Sequence, residues 1–413
     1  MLGAVRLAAA LAALLLAPAA HAVDSWWLDA VGAAEVAPPG PGVPITVIDT
    51  GVYVSHPDFA SRPSTTALNT QTGLGGREGH GTAVASVIGV SVYPQARLLS
   101  WDASPSGFIT NAGIVAGLEA APAPGIVNLS LGGRSWNRGE ADSVAAAYGR
   151  GIVPVAAAGN DGERGSAASF PADLPHVLTV GAVGRDRRVS SFTTRSRAID
   201  VAAPGEDVLA AVPPNGYAFA RGTSVAAPFV SAALAWIWTQ RPELDHTQLI
   251  ELVRQTARDV GPPGRDDQTG FGVIDVAAAL AEPAPIPDPL EPNDDVRWAT
   301  TPVPASLSAR IDAVEDVDDV YRVDVAAGSS LRVELRSHRS LDVELWDGDT
   351  PTIRAAGDVR EAHLLATAPH GARPRVVQTK IRGEPATVFV RVQLRPGVER
   401  ASYALWISAA VPR

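Results

Sequence analysis

Short apolar runs alternate with longer mixed stretches over the first two-thirds of the chain. The runs at 44–48, 97–101, 125–131, 152–158 and 176–183 are apolar almost throughout, and the stretches at 80–89, 111–121 and 142–150 carry helix-compatible sequence. Runs without polar alternation are expected where both faces of a sheet are covered, the condition of a parallel sheet with crossover helices. The predicted fold class is therefore α/β, a parallel β-sheet flanked by helices on both faces. Two more helices are predicted beyond it. One, at 224–240, is apolar all round and so buried, with Pro228 tolerated in its first turn. The other, at 247–256, is amphipathic.

The pattern changes after Leu280. Residues 282–292 are rich in proline and acidic side chains, which suits a stiff extended linker. Beyond them lie short runs at 320–325, 331–335, 341–345, 376–381, 388–392 and 403–407. Gly328, Asp347-Gly348 and Pro396-Gly397 supply turns between them. That spacing predicts a smaller all-β sandwich domain over 293–413.

The first residues read as a targeting segment. Arg6 precedes an apolar stretch at 7–17 that is too short to span a bilayer, and Ala20-His21-Ala22 has the small-x-small form of a cleavage site. A signal peptide is expected at 1–22, and with it a secreted, extracellular or cell-envelope location. No later stretch approaches ~20 consecutive apolar residues, so no membrane anchor is expected. The net charge of −10 argues against nucleic acid as a partner. Cysteine is absent and Met1 is the sole methionine. An exported chain of this kind must be held by packing, with or without a metal, rather than by disulfides.

Three segments supply an acid, an imidazole and a hydroxyl in the chain order Asp, His, Ser: Val47-Ile48-Asp49-Thr50-Gly51, Gly79-His80-Gly81-Thr82 and Gly222-Thr223-Ser224-Val225-Ala226-Ala227-Pro228. Taken singly, Asp49 reads as a strand end, His80 as a polar residue among glycines and Ser224 as a helix cap. Together they read differently, because glycines flank all three where close backbone approach would exclude a Cβ. A serine nucleophile, its base and the base's orienting carboxylate are often distant in sequence and adjacent in space.

On these motifs the chain resembles a subtilisin-like serine protease (subtilase, peptidase family S8), a scaffold that uses this chain order. The likeness runs from about Trp26 to Leu280. It includes His56-Pro57-Asp58, Asn128-Leu129-Ser130-Leu131-Gly132-Gly133, Ala156-Ala157-Ala158-Gly159-Asn160, Val201-Ala202-Ala203-Pro204-Gly205 and Thr269-Gly270-Phe271-Gly272. Val225 and Phe229 stand where the family usually has Met and His.

The resemblance implies a peptidase domain at 23–281 and a secreted endopeptidase acting through an acyl-enzyme. It makes Asp49, His80 and Ser224 catalytic, with the Asn160 side chain and the Ser224 N–H as oxyanion donors. Substrate would lie beside Ser130, Leu131 and Gly132, in a pocket also walled by Ala158 and Gly159. His56 and Asp58 are expected to pack or cap locally, and Trp26-Trp27 to pack the N-terminal arm.

The Glu291-Pro292-Asn293-Asp294 and Asp318-Asp319-Val320-Tyr321 segments resemble the bacterial pre-peptidase C-terminal domain. No cofactor is required for the chemistry. A structural Ca2+ is compatible with the clustered oxygens of Asp312, Glu315, Asp316, Asp318 and Asp319. The expected partners are protein or peptide substrates, and the expected state is a monomer. A catalytically idle binding protein and a general esterase are the competing readings, the latter lacking a Gly-x-Ser-x-Gly elbow at Ser224.

Overall fold

The computed structural model describes residues 25–60, 65–70, 79–288, 290–313, 316–353, 357–369, 374–382, 384–395 and 397–410. The signal peptide expected at 1–22, Glu315 and Pro396 lie outside them. The chain divides into two compact units, one ending at Pro285 and one beginning at Ile286.

The first unit is built on strands β1 (Ile45–Asp49), β2 (Thr65–Ala67), β3 (Leu98–Asp102), β4 (Gly125–Leu129), β5 (Ile152–Ala157), β6 (Leu178–Val183) and β7 (Ile199–Pro204). They form one sheet in the order β2-β3-β1-β4-β5-β6-β7. Every pairing within it is parallel. Residues of β1, β4 and β5 alternate between two apolar cores. Val47, Ile126, Val153 and Val155 face one core, whereas Ile48, Val127, Ile152 and Ala156 face the other. Period-two geometry therefore explains the continuous apolar runs, because each face of the sheet has its own helical layer.

The helices of this unit are α1 (Trp26–Ala30), α2 (Pro57–Ala60), α3 (His80–Ser86), α4 (Asn111–Ala120), α5 (Arg138–Gly149), α6 (Thr223–Gln240), α7 (His246–Thr256) and α8 (Val276–Ala281). Helices α4 and α5 cover the Ile48 side, and α6 lies in the opposite core. Trp26 and Trp27 of α1 are buried in that same core.

Several elements differ from expectation. The predicted helix at 80–89 is regular only to Ser86 and continues as a π-helix over Val87–Val92. Helix α5 begins four residues early, because Asn137 caps it by accepting from the Glu140 N–H. Pro228 lies in the second turn of α6, inside the helix rather than in its first turn. It donates nothing to the carbonyl four residues back, which is that of Ser224. Strand β7 went unpredicted because Asp200 interrupts its apolar run, and that carboxylate is buried in a 2.6 Å ion pair with Arg254. The antiparallel hairpin of β8 (Val208–Val212) and β9 (Gly216–Ala220) was also missed.

The second unit holds two four-stranded sheets built from β10 (Ser306–Asp312), β11 (Asp318–Val325), β12 (Ser330–Ser337), β13 (Leu341–Asp347), β14 (Leu364–Thr367), β15 (Arg375–Lys380), β16 (Ala386–Leu394) and β17 (Arg400–Ala410), with α9 at Gly357–His363. The sheet orders are β10-β17-β12-β15 and β11-β16-β13-β14, all antiparallel. Leu331, Val333, Val343, Leu345, Val390 and Leu405 fill its core. Asp288 and Glu291, from the segment read as linker, belong to this unit and are buried. The acidic run at 312–319 does not act as one cluster. Asp318 pairs with Arg391 at 2.6 Å, whereas oxygens of Asp316 and Asp319 lie within 4.8 Å of a Glu291 oxygen.

Glu140 is buried in the first turn of α5. Its Oε2 accepts from Asn111 Nδ2 at 2.7 Å, and its Oε1 has no hydrogen-bond partner. Burial pushes its carboxyl up to about 7, against the hydrogen bond from Asn111. A folded-state pKa above the unfolded one gives stability that is full below about 4.5 and is lost as pH rises through 7. Glu140→Gln should therefore raise Tm at pH 8 by up to roughly 6–12 °C, corresponding to up to about 3 kcal/mol, and leave it unchanged near pH 4. Thermal unfolding at both pH values checks this, and an equal shift at both would refute it.

Candidate active site

In a parallel α/β sheet, the loops at the carboxyl ends of the strands share one edge. Asp49 ends β1, Ser130 follows β4 by one residue, and Asn160 lies just past β5. The Ser224 turn reaches the same edge differently. Gly205 follows the end of β7, and its carbonyl accepts from the Gly222 N–H at 2.9 Å.

Asp49 is wholly buried, yet its carboxylate is well supplied with donors. Its Oδ1 accepts from the Thr50 N–H at 2.7 Å. His80 Nδ1 lies 2.8 Å from Oδ1 and 3.0 Å from Oδ2. A carboxylate only accepts, so Nδ1 carries a proton and donates it to Asp49. The imidazole can come this close because residue 81 is glycine. A Cβ there would stand 3.2 Å from the Asp49 Cβ and overlap the Gly51 carbonyl. The Gly81 N–H donates to Thr50 Oγ1 at 3.1 Å, tying the start of α3 to the turn after Asp49.

Ser224 is the second residue of α6, where the helix dipole presents its positive end. Gly222 before it has a φ of 138°, which favours glycine. A Cβ on Gly222 would lie 3.2 Å from Ser224 Oγ and 3.3 Å from Asn160 Nδ2, so both groups border the space that this glycine leaves open.

The Asn160 amide has a defined orientation. Its Oδ1 accepts from the Thr223 N–H at 2.9 Å and from Thr223 Oγ1 at 3.1 Å, which turns Nδ2 the other way. Thr223 Oγ1 also accepts from the Gly159 N–H at 3.0 Å. Thr223 stands in the Gly-Thr-Ser motif, but nothing in the sequence shows what its hydroxyl touches.

The substrate-side candidates also meet. Strands β4 and β5 are neighbours, with Leu129 opposite Ala156. Ser130, Leu131 and Ala158 are buried, and the residue 159 N–H is held as described. Cβ atoms at Gly132 and Gly159 would stand 2.6 and 3.4 Å from Ser169 Oγ. The side chain between the two glycine segments is thus Ser169, which stands in no sequence motif. The loop after Leu129 is anchored from below, where Asn128 Nδ2 donates to Ser130 Oγ and Asn128 Oδ1 accepts from Ser231 Oγ of α6, both at 2.9 Å. His56 and Asp58 join the β8–β9 hairpin rather than this cluster.

Comparison with known proteins fits this geometry. The chain is 34% identical over 258 residues to subtilisin DY of Bacillus licheniformis, covering 58% of this chain and 91% of that protein. It is 32% identical over 253 residues to alkaline elastase YaB of Bacillus sp. (strain YaB), of whose length it spans 65%. The fold matches the crystal structure of the psychrophilic subtilisin-like protease Apa1 from the Antarctic psychrotroph Pseudoalteromonas sp. AS-11. There the TM-score is 0.56 at 19% identity, over 62% of this chain and 97% of that one. A family model described as the subtilase family matches residues 40–272, more than half of the chain, which therefore belongs to the subtilase family of serine-type endopeptidases.

Proposed function

We propose that this chain is a secreted endopeptidase that cleaves protein or peptide substrates through an acyl-enzyme on Ser224, with His80 as general base and Asp49 as its orienting acid. The observation that carries the reading is the Asp49–His80 pair, with Nδ1 committed to a buried carboxylate. Nε2 would take the Ser224 proton as Oγ attacks the scissile carbonyl, then return it to the leaving amine. Asp49 stabilises the imidazolium that forms between these steps. Asn160 Nδ2 and the Ser224 N–H receive the oxyanion. An extended substrate segment would run beside Ser130, Leu131 and Gly132, with its side chain between that strand and Ala158-Gly159.

A fluorophosphonate probe should label wild-type protein at Ser224. It should fail to label Ser224→Ala and label His80→Ala far more slowly. Because the three residues act as a unit, the Ser224→Ala/His80→Ala double variant should be hardly less active than either single one. Additive losses would sink the assignment.

Asn160→Leu should lower kcat by roughly 10²–10³ with little change in KM, the magnitude known for the oxyanion asparagine of a subtilisin. Thr223→Val leaves the amide in place but removes the hydroxyl that orients it. It should lower kcat by about 10-fold, corresponding to about one neutral hydrogen bond. Steady-state kinetics on one peptide amide read both effects, and a rise in KM alone would assign Asn160 to ground-state binding.

The chemistry needs no cofactor, but the second unit has a candidate calcium site. Glu291, Asp316 and Asp319 bring oxygens within 4.8 Å of one another, with Asp288, Asn293 and Asp294 also buried. Burial first, and then the neighbouring carboxylates, hold Glu291 and Asp316 well above the usual carboxylate range. Burial and Asp288 do the same to Asp319. Such an all-oxygen, mutually repelling set fits a hard divalent cation, which would favour the ionised carboxylates and hold this unit's N-terminal segment to β11. Millimolar Ca2+ should raise the Tm of the full chain by several degrees over EGTA, and Asp319→Asn should abolish the difference. Equal melting with and without Ca2+ would remove the site.

A further inference from the structure

We propose that His56, Asp58 and Tyr217 form a clasp that sets the position of the nucleophile turn relative to the Asp49–His80 pair, an inference that rests on the catalytic reading above.

His56 lies in the loop that leaves Asp49 and is wholly buried, yet both ring nitrogens are engaged. Nε2 donates to the Gly216 carbonyl at 3.1 Å, and Nδ1 accepts from the Asp58 N–H at 3.2 Å. The Tyr217 hydroxyl donates to Asp58 Oδ1 at 2.7 Å, and its ring stands edge-on to the imidazole at 5.3 Å. Desolvation and the Asp58 carboxylate push the phenol of Tyr217, which is partly exposed, up to about 12, so it is a donor at neutral pH.

Gly216 and Tyr217 open β9, which leads through Arg221 into Gly222-Thr223-Ser224. The β8–β9 hairpin forms its own two-stranded sheet and takes no register from the seven-stranded one. Its position therefore depends on tethers. At its open end the Gly222 N–H donates to the Gly205 carbonyl, and near its turn the Ala211 N–H donates to Ser86 Oγ of α3, both at 2.9 Å. Pro213 lies against Gly79, where a Cβ would stand 2.5 Å from the proline Cδ. The clasp supplies the tether to the third catalytic segment. The loop carrying His56 is in turn bonded to α3, where the Tyr53 N–H donates to Thr82 Oγ1 at 2.9 Å.

Asp49, His80 and Ser224 thus come from three segments that meet at this hairpin. Apolar contacts alone would let the hairpin slide along its neighbours, whereas directional hydrogen bonds fix its register. A misplacement of about 1 Å at a reacting atom can cost ~10²-fold in rate. His56, Asp58 and Tyr217 are positioning residues, since none of them touches the reacting atoms in this mechanism.

Three variants test the clasp. His56→Leu keeps the bulk and removes both bonds, His56→Gln restores a donor toward Gly216, and Tyr217→Phe keeps the ring. With a peptide amide, His56→Leu should lower kcat about 30-fold with KM within about twofold, and Tyr217→Phe should lower kcat about 5-fold. His56→Gln should recover most of the loss. Fluorophosphonate labelling of Ser224 should slow in the same order, and the pH profile of kcat should keep its shape. If His56→Leu does not fold, Tyr217→Phe carries the test. The clasp is refuted if folded variants lose Tm but keep wild-type kcat and labelling rate, if only KM rises, or if folded His56→Gln is as slow as His56→Leu. Wild-type protein that is not labelled at Ser224 would instead overturn the catalytic reading itself.

Discussion

A carboxylate placed beyond the reach of water sets most of the conditions in this peptidase unit. Moving an ionised carboxyl from water into a protein interior costs several kcal/mol unless donors replace the lost solvent. Asp49 obtains them from the Thr50 N–H and His80 Nδ1. The imidazole must lie close against the carboxyl, so residue 81 cannot carry a side chain. The turn after Asp49 must be held, which Thr50 and Thr82 accomplish by bonding to the start of α3 and to Tyr53. The His80 tautomer then follows from the same hydrogen bond that stabilises the carboxylate.

The parallel sheet solves the remaining geometric problem. It delivers Asp49, Ser130 and Asn160 to one edge without any loop having to be long. Ser224 is different, because it sits at a helix start and needs a separate route to that edge. The Gly205–Gly222 bond and the β8–β9 hairpin provide it. Thr223 then connects the two sides, holding the Asn160 amide with its N–H and hydroxyl while receiving the Gly159 N–H.

Much of this was legible in the amino-acid order, and the reasons differ by element. The central strands showed themselves because both sides of Ile45–Asp49, Gly125–Leu129 and Ile152–Ala157 are buried in apolar cores. Glycines marked the close approaches around His80 and Ser224, since only a missing Cβ allows them. What stayed hidden depends on partners far along the chain. Strand β7 is disguised by Asp200, whose acceptability depends on Arg254. Thr223 and Ser169 carry no local signal for what their hydroxyls face. His56 and Asp58 read as local packing residues because Tyr217 lies far along the chain and reaches Asp58 only when folded. The acidic segment was misgrouped for the same reason, as Glu291 joins Asp316 and Asp319 whereas Asp318 goes to Arg391.

Helix α6 has a consequence for how the molecule wears out. It begins at Thr223 and is buried nearly all round as far as Trp238, in the main core of its unit. A peptidase is exposed to its own kind at working concentration, and cleavage needs several residues of extended, accessible backbone. The segment that carries Ser224 cannot offer that by local fraying, because removing α6 dismantles the core. Nicks should therefore accumulate first in outer loops while the Asp49, His80 and Ser224 segments remain assembled. Loss of the proposed catalytic arrangement then becomes an all-or-none event timed by whole-unit opening, so a population ages by losing molecules rather than by each molecule growing gradually slower.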